Sequence, residues 1–203
     1  MWNRNRIARV IMSVLGIFTC VASALAGGGN VLPPFASPKG YSLSEIAVAT
    51  AVYNTGVTTG NPATPPPPDV PFEILVADAT VKPGTAFYLP IFYADDSGGA
   101  PADFPEDITD QEADADYLNG LVLDGFGVEA FIVQVDGQTT ILDDGFITGT
   151  TTAPLLDGTP GGTHYIISAA FLSPLTPGKH TVGIGGIIDG EPVVFLSYTV
   201  TVR

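Results

Sequence analysis

Asp-Gly occurs five times in the second half of this chain, starting at residues 124, 136, 144, 157 and 189. The dipeptide suits tight turns that need positive φ, so its recurrence predicts short strands reversed at close intervals. Asp136-Gly137 is the strongest case, because apolar runs over 128–135 and 138–142 flank it as the two arms of a hairpin. Residues 163–172 form a further strand candidate. Two more, over 179–184 and 193–202, are separated by a Gly-rich turn region that ends in Asp189-Gly190. Over the last run Val194, Leu196, Tyr198, Val200 and Val202 alternate with Phe195, Ser197, Thr199 and Thr201, which predicts one face on a core and the other mostly in water. Short strands separated by turns predict a mainly β fold, a β-sandwich or related barrel. No internal repeat recurs at a fixed period, which argues against a propeller or solenoid.

The first half reads differently. Residues 27–38 are rich in Gly and Pro and read as an extended lead-in. Ser42-Leu43-Ser44-Glu45 is a capping-box pattern that predicts a helix start, with Ile46, Ala47, Ala51 and Val48 as its apolar side and Asn54 to Gly56 as its stop. Pro65 to Pro68 cannot donate backbone hydrogen bonds and predict a stiff connector. Strand signals follow at 72–76 and, after a Pro83-Gly84 turn, at 86–93, where Pro90 predicts an edge or a bulge. An acidic insertion over 95–120 then carries a second helix candidate at 105–119, with Thr109-x-x-Glu112 as its capping box and Gly120 as its stop. The organisation is thus residues 1–26 as a leader, 27–71 as lead-in, short helix and connector, and 72–203 as the β domain.

Residues 1–26 read as an export signal. Arg4, Arg6 and Arg9 precede an apolar run over 10–22, and Ala24-Leu25-Ala26 supplies the small residues of a cleavage site. The run is well short of the roughly 20 residues that a bilayer span needs, which predicts cleavage over anchoring and no membrane insertion afterwards. Lipid modification at Cys20 is the alternative, but Thr19 stands where a small residue is expected before such a cysteine. Cleavage removes the single cysteine, leaving no disulfide in an oxidising compartment, secreted or periplasmic. It also leaves four basic residues, Lys39, Lys82, Lys179 and Arg203, against 21 acidic ones, a net excess of 17 negative charges. Such a surface repels phosphate backbones and anionic headgroups, so nucleic acid is excluded as a partner. Cations, cationic surfaces and neutral molecules stay open.

Several residue groups carry chemistry by type. Clustered carboxylates suit a hard cation in a calcium-rich compartment, and Asp110, Glu112, Asp114 and Asp116 are the calcium candidates within the acidic insertion. Alternate acids on a helix point about 200° apart, however, so these four converge on an ion only if the stretch is a loop. A solvated acidic face accounts for the same residues. Asp96-Ser97-Gly98 matches the Asp-[Ser/Thr]-Gly triplet of aspartic proteases, but it occurs once where a shared proton needs two carboxylates, and a turn explains it. His164 and His180 are the two histidines, and with a carboxylate they could hold zinc or serve Ser168 or Ser173. Neither His-Glu-x-x-His nor Gly-x-Ser-x-Gly supports this. Glu73, Glu129 and Glu191 are the acids in apolar strand contexts, the type of residue a glycoside hydrolase pairs across a cleft. No catalytic residue is assigned.

The capped helix, the run from Val81 through Lys82-Pro83-Gly84 to Pro90, the Leu123-Asp124-Gly125 turn and Leu175-Thr176-Pro177-Gly178-Lys179-His180-Thr181-Val182 resemble a loose group of uncharacterised secreted bacterial proteins. The closing segment is also similar to the last hairpin of immunoglobulin-like and fibronectin type III domains, where Leu-x-Pro-Gly leads into the penultimate strand and a Tyr locks the corner. His180 stands at that Tyr position, which implies a structural job for it. These resemblances imply an immunoglobulin-like or jelly-roll-like sandwich and bring no chemistry. The expectation is a secreted, non-enzymatic protein that meets an unknown extracellular ligand or surface without a cofactor. The alternatives are a carboxylate-dependent, glycosidase-like hydrolase and a calcium-dependent binding module.

Overall fold

The computed structural model describes residues 30–96, 103–107, 109–151 and 163–203. The export signal with Cys20, the Ser97-Gly98 part of the protease-like triplet and the Asp157-Gly158 turn lie outside the described residues. In chain order the elements are α1 (Leu43–Thr59), β1 (Glu73–Ile74), β2 (Ala79–Val81), β3 (Phe87–Asp95), α2 (Gln111–Phe126), β4 (Ala130–Val135), β5 (Gln138–Leu142), β6 (Ile147–Thr151), β7 (His164–Leu172), β8 (Gly178–Ile188) and β9 (Glu191–Val202). The fold is mainly β, with two sheets and two helices. One sheet runs β1-β3-β7-β6 and the other β2-β9-β8-β4-β5. Two short pairings are parallel, β1 with β3 and β2 with β9, and the others are antiparallel.

The Asp-Gly dipeptides divide by context. Asp136 and Gly137, at φ 50 and 84, close the β4–β5 hairpin between the paired Val135 and Gln138. Asp189 and Gly190, at φ 52 and 78, close β8 onto β9 in the same way. Two positive φ values in a row match the right-handed twist of the flanking strands. The other two described dipeptides make no hairpin. Asp144-Gly145 sits in a 3₁₀ turn where the Asp143 carboxylate accepts from the Gly145 amide at 3.1 Å. Asp124-Gly125, expected as a turn, is helical.

The second helix is therefore displaced from its predicted span of 105–119. Asp110, not Thr109, caps it, accepting from the Ala113 amide at 3.1 Å, and it runs through Gly120 to a left-handed Gly127. Glycines inside a helix each cost about 1 kcal/mol relative to alanine. Burial of Ala115, Leu118 and Val122 on the sheet-facing side offsets that cost and carries the helix past Gly120.

The first helix starts where its capping box predicts. The Ser42 hydroxyl accepts from the Glu45 amide and the Glu45 carboxylate accepts from the Ser42 amide. It passes the expected stop at Asn54 to Gly56 and ends at a left-handed Gly60, because Thr50, Asn54 and Thr55 continue its buried side. Val48, assigned to that side, is exposed. α1 packs on β6 and β7.

Strand β3 breaks register between Pro90 and Phe92, the bulge expected at a proline, while its β1 neighbour reaches only Phe87 and Tyr88. β8 is longer than the predicted 179–184. Its Gly185 and Gly186, expected in a turn region, lie within the strand as Gly183 does, and at all three positions neighbours occupy the space a side chain would need. Val194 covers Gly183, the Val193 carbonyl covers Gly185 and Val128 covers Gly186. β9 skips Phe195 in its pairing to β8, which brings Phe195 against the core and turns Val194 onto the other face. The alternation holds for the buried Tyr198, Val200 and Val202 and fails at Val194 and Leu196, 38% and 41% exposed.

One hydrophobic core joins both sheets and both helices. Phe92 of β3 stacks on Phe131 of β4 with ring centroids 5.9 Å apart, linking the sheets directly. β7 is buried along its whole length. Among the described residues no helix is long and apolar enough to cross a membrane.

Candidate functional site

The most unusual chemistry lies where α2 meets the end of β7. Asp114 is one turn beyond the Asp110 cap, on the side that Ala115 and Leu118 place toward the sheet. Its carboxylate lies over Gly149 of β6, in the space a side chain would fill there. His164 opens β7, and its Nε2 is 3.5 Å from Asp114 Oδ1. Both side chains are buried, Asp114 completely. Phe104 meets the imidazole edge-on at 4.9 Å and meets Tyr117 at the same distance, forming an aromatic cover.

By strict geometry neither Asp114 oxygen nor His164 Nε2 completes a hydrogen bond, and the two groups face each other at 3.5 Å. Burial pushes the Asp114 carboxyl above its ordinary value, His164 opposes that shift, and Asp110 and Asp107 add to it. A bare carboxylate without a donor is expensive in such surroundings. Burial therefore favours the protonated form of the Asp114 carboxyl. That arrangement joins α2 to β7, with both side chains buried among the described residues.

The four calcium candidates do not come together. Asp110 is the exposed helix cap, Glu112 and Asp116 are exposed, and Asp114 is buried against Gly149. They radiate because the stretch is a helix. Among the described residues no group of three or more His, Cys, Asp or Glu is arranged to hold a metal ion. Neighbouring acids bind backbone. Asp96 accepts from the Thr163 and His164 amides at 2.8 and 3.0 Å, and Asp107 accepts from the Thr109 hydroxyl and amide, which hold its carboxyl below the ordinary value.

The two histidines belong to different sheets. His180, near the start of β8, shares its Nδ1 with Asp136 Oδ2 at 2.7 Å and its Nε2 with the Thr176 carbonyl at 2.8 Å. Both bonds raise its pKa. Partial burial pushes the Asp136 carboxyl up, but His180 and the Thr181 amide outweigh burial and hold it below its ordinary value. Ser168 is buried with its hydroxyl unpaired, four residues along β7 from His164, and Ser173 lies beyond that strand's end. Glu73 is in one sheet, while Glu129 and Glu191 are exposed residues beside or within strands of the other.

A second buried polar set lies under α1. The phenols of Tyr88 and Tyr165 are buried and pushed up by desolvation, with Thr50 beside the first and Asn54 beside the second opposing that shift. Sequence reasoning missed this set, since Asn54 reads as the start of the helix stop and Thr50 carries no assigned role. It likewise missed Asp114 and Asp136 as histidine partners.

No family model, curated protein or solved structure matches this chain.

Proposed function

We propose that the mature chain works outside the cytoplasm, secreted or periplasmic, as a non-enzymatic immunoglobulin-like β-sandwich module that binds an extracellular ligand or surface. The strand order carries this reading. β1, β3, β7 and β6 follow the order A, B, E, D, and β2, β9, β8, β4 and β5 follow A′, G, F, C, C′. The order favours this arrangement over a jelly roll. It departs in the β1–β3 pair, which is parallel, and in having Val182 where the second cysteine would follow the corner residue. His180 supplies the corner contact, bonding a carbonyl four residues upstream as the corner tyrosine does.

A fold does not establish a role. The binding assignment is supported by α2 and the acidic insertion, which occupy the β3–β4 connection, a position that carries a ligand loop in variable domains. The non-enzymatic assignment is supported by the histidines, which lie in different sheets and each face their own aspartate, and by Glu73 lying in one sheet while Glu129 and Glu191 lie beside or within strands of the other. The acidic charge favours a cationic or neutral partner.

The test is incubation of exported protein with insoluble extracellular polysaccharides and with polylysine-coated beads, followed by assays of retention and of reducing-end release. Retention without release is expected, with the polylysine arm weakened by salt. Reducing-end release abolished by Glu73→Gln, Glu129→Gln or Glu191→Gln would replace the reading with a hydrolase. Retention that requires millimolar calcium would replace it with a calcium-dependent module.

A further inference from the structure

The imidazole of His180 lies between two acceptors, a geometry that one protonation state satisfies. Asp136 Oδ2 takes the Nδ1 proton at 2.7 Å, and the Thr176 carbonyl, which has no hydrogen to give, faces Nε2 at 2.8 Å. A neutral ring has one N–H and must leave one acceptor facing a lone pair. Only the imidazolium makes both bonds.

The two acceptors come from different parts of the chain. Asp136 is the first residue of the β4–β5 turn, and Thr176 belongs to the link between β7 and β8. Asp136 also accepts from the Thr181 amide through Oδ1 at 2.9 Å, and its own amide donates to the Thr181 carbonyl at 2.9 Å. Across the sheet His180 pairs with Val200 of β9, which carries no charge, and the adjacent Lys179 is exposed. The His180 side chain is 12% exposed, while that of Asp136 is 48% exposed.

We propose that His180 is a pH-operated latch that ties the β4–β5 turn to the corner between β7 and β8, closed while the imidazole carries its second proton. A tyrosine at this corner supplies a hydroxyl donor whatever the pH; the histidine makes the same joint conditional. Since both acceptors raise the folded pKa, the latch's contribution is complete below the unfolded value of about 6.5 and disappears as pH rises through the higher folded value. Asp136 stays charged throughout that range.

The experiment is a pH titration of the mature chain by NMR, following the His180 ring protons and the exchange of the Asp136 and Thr181 amides after correction for intrinsic rates. Expected are a titration above 6.5 and a loss of amide protection of up to about tenfold per pH unit across the same interval. His180→Tyr keeps the carbonyl contact and should remove the pH step. Asp136→Asn should move the ring titration down, and it decides the matter if His180→Tyr does not fold. The latch is overturned by a ring titration at or below 6.5, by a step that persists in His180→Tyr, or by an unmoved titration in Asp136→Asn. None of these readouts depends on whether the protein binds a ligand.

Discussion

The carboxylate of Asp114 lies over the Cα of Gly149, where a β-carbon would stand, so α2 and β6 approach as closely as they do because residue 149 has no side chain. An added methyl cannot avoid the acid without moving the helix. Gly149→Ala is expected to destabilise the fold by roughly 1–3 kcal/mol, the range for overpacking. Asp114→Ala in the same chain should relieve the clash, so a double-mutant cycle by urea denaturation should show strong non-additivity. Additive costs would mean that the two positions do not compete for space.

Titration of the same acid follows from its burial. Because the folded carboxyl keeps its proton to higher pH than the unfolded one, this site's contribution to stability falls as pH rises from about 3.8 toward the raised folded value. His164 opposes the upward shift of Asp114 and so moderates the fall. Asp114→Asn removes the titrating group with little change of shape and should gain stability relative to wild type as pH rises above about 3.8. A wild-type-to-variant difference that is flat over this range, measured by urea midpoints, would argue against a shifted acid.

The glycines of β8 should differ in their tolerance. At Gly185 an added methyl would meet the Val193 carbonyl, which belongs to the backbone at the β9 bulge and cannot turn aside. At Gly183 it would meet the Val194 side chain at 3.0 Å, which can rotate. Gly185→Ala is therefore expected to cost about 3 kcal/mol or more and Gly183→Ala about 1 kcal/mol. Thermal melts of the two variants check the order.

At the start of α1 the Ser42 hydroxyl accepts from the Glu45 amide, one of the free donors of the first turn. Ser42→Ala should lower stability by about 1 kcal/mol, and Ser42→Asp should restore most of it. Equal melting temperatures for all three chains would show that the cap is not coupled to global unfolding.

How much was legible in advance depended on the distance over which each signal acts. The Ser42–Glu45 box, the Asp136-Gly137 and Asp189-Gly190 turns and the Pro90 bulge were readable because each is decided within a few residues by φ preference or by a missing donor. Asp124-Gly125 carries the same letters as a turn yet lies in a helix, since Leu118 and Val122 bury against the sheet and override local preference. Gly185 and Gly186 of β8 misread as a turn for the same reason, their neighbours in space being Val193 and Val128. Of the four acids singled out as a group, one faces inward, and its partners Gly149 and His164 sit on strands far along the chain.

The sequence by itself determined the β-rich architecture, the helix start at Ser42, the tight hairpins and a strongly acidic chain. These follow from backbone geometry, patterning and charge, all of which act locally or by addition. Only the tertiary structure decided that Asp114 meets His164 and that Asp136 meets His180 across 44 residues. Such pairs depend on how strands register and how a helix seats on a sheet, and the energy that selects them is burial shared by the whole core.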